Sequence, residues 1–64
     1  MKETVRWIDE MEVSRLTGRA PQTLRNDRAK GQGIPYTKFG RLVRYSVQDV
    51  HVFMESHRVE VSNL

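Results

Sequence analysis

Apolar residues recur at helical spacing in two segments of the chain, one near each end. In the first segment Asp9 begins a capping-box pattern and Gly18 interrupts the helical spacing, which predicts a helix over about 10–17. The residues expected to face inward here are Ile8, Val13 and Leu16, with Trp7 and Met11 nearby. In the second segment Ser46 caps a helix whose apolar stripe has spacings of three and four residues, formed by Val47, Val50, Phe53 and Met54.

The segment between them predicts a helix of different character, over about 21–30. Pro21 suits its first position, because the N–H that proline lacks has no partner there. The segment has little to bury beyond Leu24, Ala29 and the stem of Thr23, and most of its other residues are polar or basic. A helix so poor in apolar residues is stable only when one side is docked. Two short helices around a tight turn that contains glycine, the second polar and basic, are typical of the helix-turn-helix motif.

A β-hairpin follows the second helix. Gly31 and Gly33 end that helix, and short β-type segments then flank Gly40-Arg41, whose glycine fits the first turn position of a type II′ turn. We expect strands over about 36–39 and 42–45, and alternation alone does not decide which face of the hairpin is buried.

Length and composition limit the function classes. A chain of 64 residues forms one small domain, with a predicted core over about 7–58 and a flexible tail over 59–64. A domain of this size buries only about 60% of its unfolded surface, which leaves no room for a deep substrate cavity, so we expect a protein that is not an enzyme and has no catalytic residues. The chain has no cysteine, and His51 and His57 are six residues apart, off ligand spacing, so we expect neither a metal nor a cofactor. No apolar run approaches the roughly 18 residues of a membrane span, and the predicted location is cytoplasmic.

Positive charge is concentrated in the middle of the chain. Between Arg15 and Arg44 lie eight basic residues and one acid, Asp27, a local balance of +7 within a whole-chain charge of +3. Such a stripe attracts a polyanion, and nucleic acid is the main candidate. The alternatives are a basic surface without a partner, or one that binds an acidic protein.

The stretch 34–45 carries the most specific pattern in the chain. An apolar and aromatic strand leads to Gly40-Arg41, an apolar pair, and then Arg44-Tyr45, after which Ser46-Val47-Gln48-Asp49-Val50 continues into the last helix. This pattern resembles the excisionase (AlpA-like) DNA-binding family, within the MerR-like superfamily, over about residues 7–56. The resemblance implies an α+β fold, a small winged helix-turn-helix with three helices and a two-stranded β-hairpin wing.

The same resemblance implies a function. The chain is expected to bind double-stranded DNA sequence-specifically, as a recombination directionality factor of a phage or an integrative element. Its expected partners are DNA, an integrase and neighbouring copies of itself, with no membrane and no small-molecule substrate, and its location is with the nucleoid. A small transcriptional regulator of the same fold stays open, because fold does not determine function. So does a basic protein-interaction module.

Candidate contact residues follow from their positions in the motif. The N-terminal half of the second helix meets base edges and flanking cations bind phosphates. The recognition-helix candidates are Gln22, Thr23, Arg25 and Asn26 for bases, with Arg28 and then Lys30 for phosphates. The wing candidates are Lys38, Arg41 and Arg44. Arginine can bind guanine through two hydrogen bonds, and asparagine or glutamine can bind adenine in the same way. For each of these residues an ordinary solvated or packing role is the alternative.

Three residues depart from the family pattern. Ala20 stands where a Ser or Thr usually caps the recognition helix, which weakens that helix by ~1 kcal/mol. Arg19 stands in the turn where an aliphatic residue is usual, and Asp27 where an aromatic residue is common. Together these departures predict a loosely docked second helix. Asp27 is expected either to pair with a neighbouring arginine or to be solvated.

Overall fold

The computed structural model describes residues 5–61, and its elements follow the predicted order. The elements are β1 (Trp7–Ile8), α1 (Glu10–Thr17), α2 (Pro21–Ala29), β2 (Thr37–Phe39), β3 (Leu42–Ser46) and α3 (Val47–Ser56). The α+β class with three helices is confirmed, and the bounds of the predicted helices and hairpin strands differ from the observed ones by at most one residue where both ends were predicted. The sheet has three strands rather than the two that were expected.

The helix ends follow from local chemistry. Asp9 accepts a hydrogen bond from the backbone N–H of Glu12 at 3.0 Å, and the Ser46 hydroxyl accepts one from the N–H of Asp49 at 3.3 Å. Gly18 takes a left-handed conformation with φ of 79° and donates its N–H to the carbonyl of Ser14 at 2.8 Å, which ends α1. These caps explain why the helix boundaries could be predicted from local sequence.

The sheet is antiparallel, with strand order β1-β3-β2. In β1, Trp7 pairs with Ser46 and Ile8 pairs with Tyr45. The hairpin pairs Thr37 with Arg44 and Phe39 with Leu42. Because β1 has only two residues, it is too short to produce an alternating pattern, and so the sequence did not predict it.

The core is formed by six buried apolar residues, one each from β1, α1, α2, β3 and α3 and one from the loop between α2 and β2. These residues are Ile8, Val13, Leu24, Ile34, Tyr45 and Val50, with Val43, Val47 and Phe53 packed against them. Tyr45 is 1% exposed, so the open question about the hairpin is answered: the face that carries Tyr45 and Val43 is buried.

Three residues expected in the core lie outside it. Leu16 is 48% exposed and Met54 46% exposed, and Ala29 is also exposed. The core closes around Val13 in α1, Leu24 in α2 and Val50 in α3, so further apolar residues of each helix lie at its margin.

The chain leaves regular structure after α3. Residues 58–61 are neither helix nor strand, and Val59 and Val61 are 80% and 78% exposed. Residues 62–64 of the predicted tail lie outside the described residues.

Candidate nucleic-acid interface

One face of α2 is polar and open to solvent. Gln22, Arg25, Asn26 and Ala29 are all exposed, and their spacing aligns them along one side of the helix. Leu24 is 2% exposed and docks α2 on the core. Gln22 Nε2 donates a hydrogen bond to Asn26 Oδ1 at 3.0 Å. Three of the predicted base-contacting residues therefore lie together on an exposed face, and Thr23, the fourth, is half-buried.

An open concavity of about 520 Å³ lies between α2 and the β2–β3 hairpin. Four cationic side chains border it, Arg25 and Arg28 from α2 with Lys38 and Arg41 from the hairpin, and Tyr36 adds an aromatic ring. Among the described residues that line this concavity, none is acidic. We call it the basic cleft. Such a concentration of one charge sign in a concave surface attracts anions.

A second concavity, of about 380 Å³, extends the basic cleft toward the start of α1. It shares Arg25, Arg28 and Arg41 with the first and reaches Arg44 and Glu10. The fold thus brings predicted residues of α2 and of the hairpin to one surface, although they are distant in sequence.

Glu10 of α1 pairs with two arginines of α2. Arg25 donates from Nε at 2.9 Å and from Nη2 at 2.5 Å to Glu10 Oε2. Arg28 Nη1 lies 3.3 Å from Glu10 Oε1 and donates to the buried hydroxyl of Tyr45 at 2.7 Å. The Arg25 side chain remains 51% exposed and that of Arg28 only 18%. Arg25 is therefore available to a ligand, whereas most of Arg28 is used inside the protein.

These contacts favour the charged forms of Glu10 and Arg28. The hydrogen bond from Arg25 lowers the pKa of Glu10 below its ordinary value, against a smaller opposing effect of burial, and Arg28 lowers it further. Burial lowers the pKa of Arg28, but hydrogen bonds with Tyr45 and Glu10 outweigh it, so the pKa is raised overall. At neutral pH the cluster holds one carboxylate between two guanidinium groups.

The three cations of the hairpin differ in how far their side chains are exposed to solvent. Lys38 and Arg41 are exposed, and Arg41 follows Gly40, whose φ of 63° forms the turn. Arg44 is half-buried and donates from Nη1 to the carbonyl of Val43 at 2.9 Å. Of the predicted wing residues, Arg41 and Lys38 are the ones that project into solvent.

Two of the three residues that depart from the family pattern contact each other. Ala20 gives α2 no side-chain cap, as expected. However, Arg19 Nη2 pairs with Asp27 Oδ2 at 2.7 Å, and the Arg19 guanidinium lies 5.9 Å from the centre of the Phe53 ring. Two of the departures thus form an ion pair that connects α2 to the turn before it, which is the first of the two roles expected for Asp27.

The C-terminal end of α2 is fixed by backbone hydrogen bonds. The N–H of Gly31 donates to the carbonyl of Arg28 at 3.0 Å and that of Gln32 to the carbonyl of Asp27 at 2.9 Å, a Schellman motif. Gly33 has φ of 90° and packs so closely that a Cβ there would lie 2.8 Å from the Cβ of Asp27. The chain is thereby directed into the hairpin at a defined position beside α2.

Sequence reasoning missed two residues of this site. Sequence analysis assigned no role in the site to Glu10, and it placed Tyr45 only in the second strand of the hairpin. Their partner Arg28 is 18 and 17 residues away in sequence, respectively. No local pattern signals a contact at such a separation.

The described part of the chain shows neither a cluster of metal-binding side chains nor a membrane-spanning helix. No group of three or more His, Cys, Asp or Glu side chains in residues 5–61 is arranged to hold a metal ion. Within the same residues no helix combines the length and the apolar character needed to cross a membrane.

Comparisons with other proteins add no family to this description. No family model matches the chain, and neither a curated protein nor a solved structure matches it. The candidate interface therefore rests on the geometry and the charge of this chain's own residues.

Proposed function

We propose that this chain binds double-stranded DNA sequence-specifically, with α2 in the major groove and the β2–β3 hairpin as a wing against the backbone. One observation carries the proposal. The exposed polar face of α2 adjoins the basic cleft. Four cations line that cleft: Arg25 and Arg28 of α2, and Lys38 and Arg41 of the hairpin. Bases would be read from one side of this surface and phosphates bound from the other.

The dimensions support this arrangement. An α-helix with its side chains is about 10–12 Å in diameter, and the major groove is about 12 Å wide and accepts one such helix. Gln22, Arg25 and Asn26 offer the hydrogen-bonding groups that distinguish guanine and adenine. Arg41 and Lys38 offer flexible cations to phosphates, and Arg41 at the turn could also enter a narrow minor groove.

The biological role we propose is that of an excisionase-like recombination directionality factor acting on DNA in the cytoplasm. A single module of this kind covers only about 600–1,000 Å² of interface, so tight binding requires adjacent copies or a partner such as an integrase. A small transcriptional regulator is the alternative within DNA binding, since one fold serves both roles.

Substitution with a matched control tests the interface. Arg25→Ala is expected to weaken specific binding by about 1–3 kcal/mol and to relax the preference at one base pair. Arg41→Ala is expected to weaken binding to all sequences and to reduce the salt slope by about one. Arg58 is an exposed arginine after α3 that pairs with Glu55 and Glu60. Arg58→Ala removes the same charge, but it should change neither the base preference nor the salt slope. If all three variants bound alike, the interface assignment would be wrong.

Selection from a randomised duplex pool at moderate salt tests the role. Tandem direct repeats among the selected sequences would support cooperative loading by an excisionase-like protein. An inverted repeat would support a two-fold regulator instead. A pool without enrichment would overturn the proposal and favour a protein-interaction module that binds an acidic partner.

A further inference from the structure

The pairing of Arg25 with Glu10 leaves one edge of the guanidinium group open. A guanidinium carries five N–H donors in a fixed plane. The contact with Glu10 Oε2 uses the Nε–H and one hydrogen of Nη2, at 2.9 and 2.5 Å. The remaining hydrogen of Nη2 and those of Nη1 point away from the carboxylate. They form a second fork at the end of a side chain that is 51% exposed.

The carboxylate that holds Arg25 is itself held in place. Glu10 begins α1, and its side chain is only 19% exposed. Its other oxygen faces Arg28, whose position is set in turn by the hydrogen bond to Tyr45, a core residue that is 1% exposed. A chain of contacts thus runs from the core to the exposed guanidinium.

We propose that Glu10 is a positioning residue that orients Arg25 to recognise guanine. The inference rests on the proposed DNA-binding function and deepens it by naming the base. Guanine presents two acceptors, O6 and N7, in the major groove, and the open fork of Arg25 matches that pair. Adenine presents a donor beside N7, so the same fork would meet an N–H group there.

The expected contribution of Glu10 is one of orientation. An arginine that donates two hydrogen bonds to guanine discriminates against other bases by roughly 5- to 150-fold. A free arginine side chain must lose its rotamer freedom on binding, whereas Arg25 has already lost much of it to Glu10. Removal of the Glu10 contact restores that rotamer freedom and should lower the affinity for the guanine site by roughly two- to twelvefold. The loss should appear only at the base pair that Arg25 contacts.

Glu12 supplies a matched control on the same helix. Glu10→Gln and Glu12→Gln each remove one negative charge, but Glu12 pairs with Arg15 and not with α2. Both variants should therefore bind random DNA somewhat more tightly, because a carboxylate near the phosphates is lost. Only Glu10→Gln should reduce the ratio of affinities for the guanine site and for the same site with adenine at that position.

The experiment measures this ratio for the whole protein on the duplex selected from the randomised pool, with thermal unfolding of each variant as a check on folding. We expect discrimination to fall in Glu10→Gln, to persist in Glu12→Gln, and to be absent in Arg25→Ala with or without Glu10→Gln. Equal discrimination in Glu10→Gln and Glu12→Gln would overturn the role of Glu10. Selected sites without a guanine that depends on Arg25 would overturn the assignment of the base while leaving DNA binding intact. An unenriched wild-type pool would instead refute the proposed function itself.

Discussion

Removal of one buried hydroxyl tests how the fold holds the basic cleft together. Tyr45→Phe keeps the ring that fills the core and deletes the oxygen that accepts a hydrogen bond from Arg28 at 2.7 Å. Tyr36→Phe is the matched control, because it makes the same chemical change on a side chain that is 41% exposed. The Tyr36 ring lies 5.7 Å from the Arg28 guanidinium, and the control preserves that ring as well.

The structure sets the expected size of the effect. A hydrogen bond to a charged group stabilises a protein by about 1.5–3 kcal/mol, and loss of its partner leaves the donor only partly satisfied. Arg28 keeps Glu10 as a second partner, and its side chain is 18% exposed, so water reaches part of it. We therefore expect Tyr45→Phe to lower the free energy of unfolding by about 1–2 kcal/mol, near the lower end of that range. Tyr36→Phe should change it by less than about 0.5 kcal/mol.

Urea unfolding followed by circular dichroism measures both variants under identical conditions. In a domain of this size each kcal/mol corresponds to about 4–8 °C in Tm, so a thermal melt provides a second reading. Equal unfolding free energies for Tyr45→Phe and Tyr36→Phe would refute the reasoning, because the hydrogen bond between Arg28 and Tyr45 would then contribute nothing to stability.

Two further changes test the helix contacts. The pKa of Glu10 is lowered in the folded protein, chiefly by the hydrogen bond from Arg25. Its stabilising contribution is therefore complete above its unfolded pKa of about 4.5 and is lost as pH falls through the folded value. The difference in unfolding free energy between the wild type and Glu10→Gln should thus be constant from pH 7 to about pH 5 and shrink below about pH 4; a difference independent of pH down to 3 would contradict this. Ala20→Ser should raise the unfolding free energy by about 1 kcal/mol, because Ala20 already has the extended backbone of a cap and lacks only the side-chain acceptor; unchanged stability in a urea titration would contradict that.

Much of the backbone could be predicted because its signals are local. Asp9, Gly18 and Ser46 end or begin helices through contacts with residues at most four positions away. The glycine of the hairpin turn and the proline that begins α2 act through their own backbone preferences. Interactions of this kind involve residues that are close together in the sequence. The helices and the hairpin were therefore predicted with nearly correct bounds.

The site was predicted less completely because its contacts are long-range. Arg25 and Arg28 were both assigned to DNA, yet Glu10, 15 residues from Arg25, engages both of them. Asp27 was expected to pair with a neighbouring arginine or to be solvated, but the sequence did not identify that arginine as Arg19, with which the fold pairs it across eight residues. A pairing of this kind depends on how the elements pack, which periodicity does not contain.

The positive stripe is therefore less uniform than the sequence implies. Glu10 and Glu12 lie outside the stretch that was counted, but the fold pairs them with arginines inside it, and Asp27 neutralises Arg19. Among the described residues of the stripe, Lys30, Lys38, Arg41 and Arg44 have no ion-pair partner, and Arg44 donates to the carbonyl of Val43 instead. The Arg25 pair leaves one edge of its guanidinium open to solvent. The first group suits nonspecific attraction to phosphates, because cations that neutralise phosphates release the counterions condensed on the DNA. The second suits recognition, because a guanidinium already oriented by a carboxylate loses less freedom on binding. The same acids that lower the net charge of the surface thus separate its cations into those that would attract DNA and one that would read it.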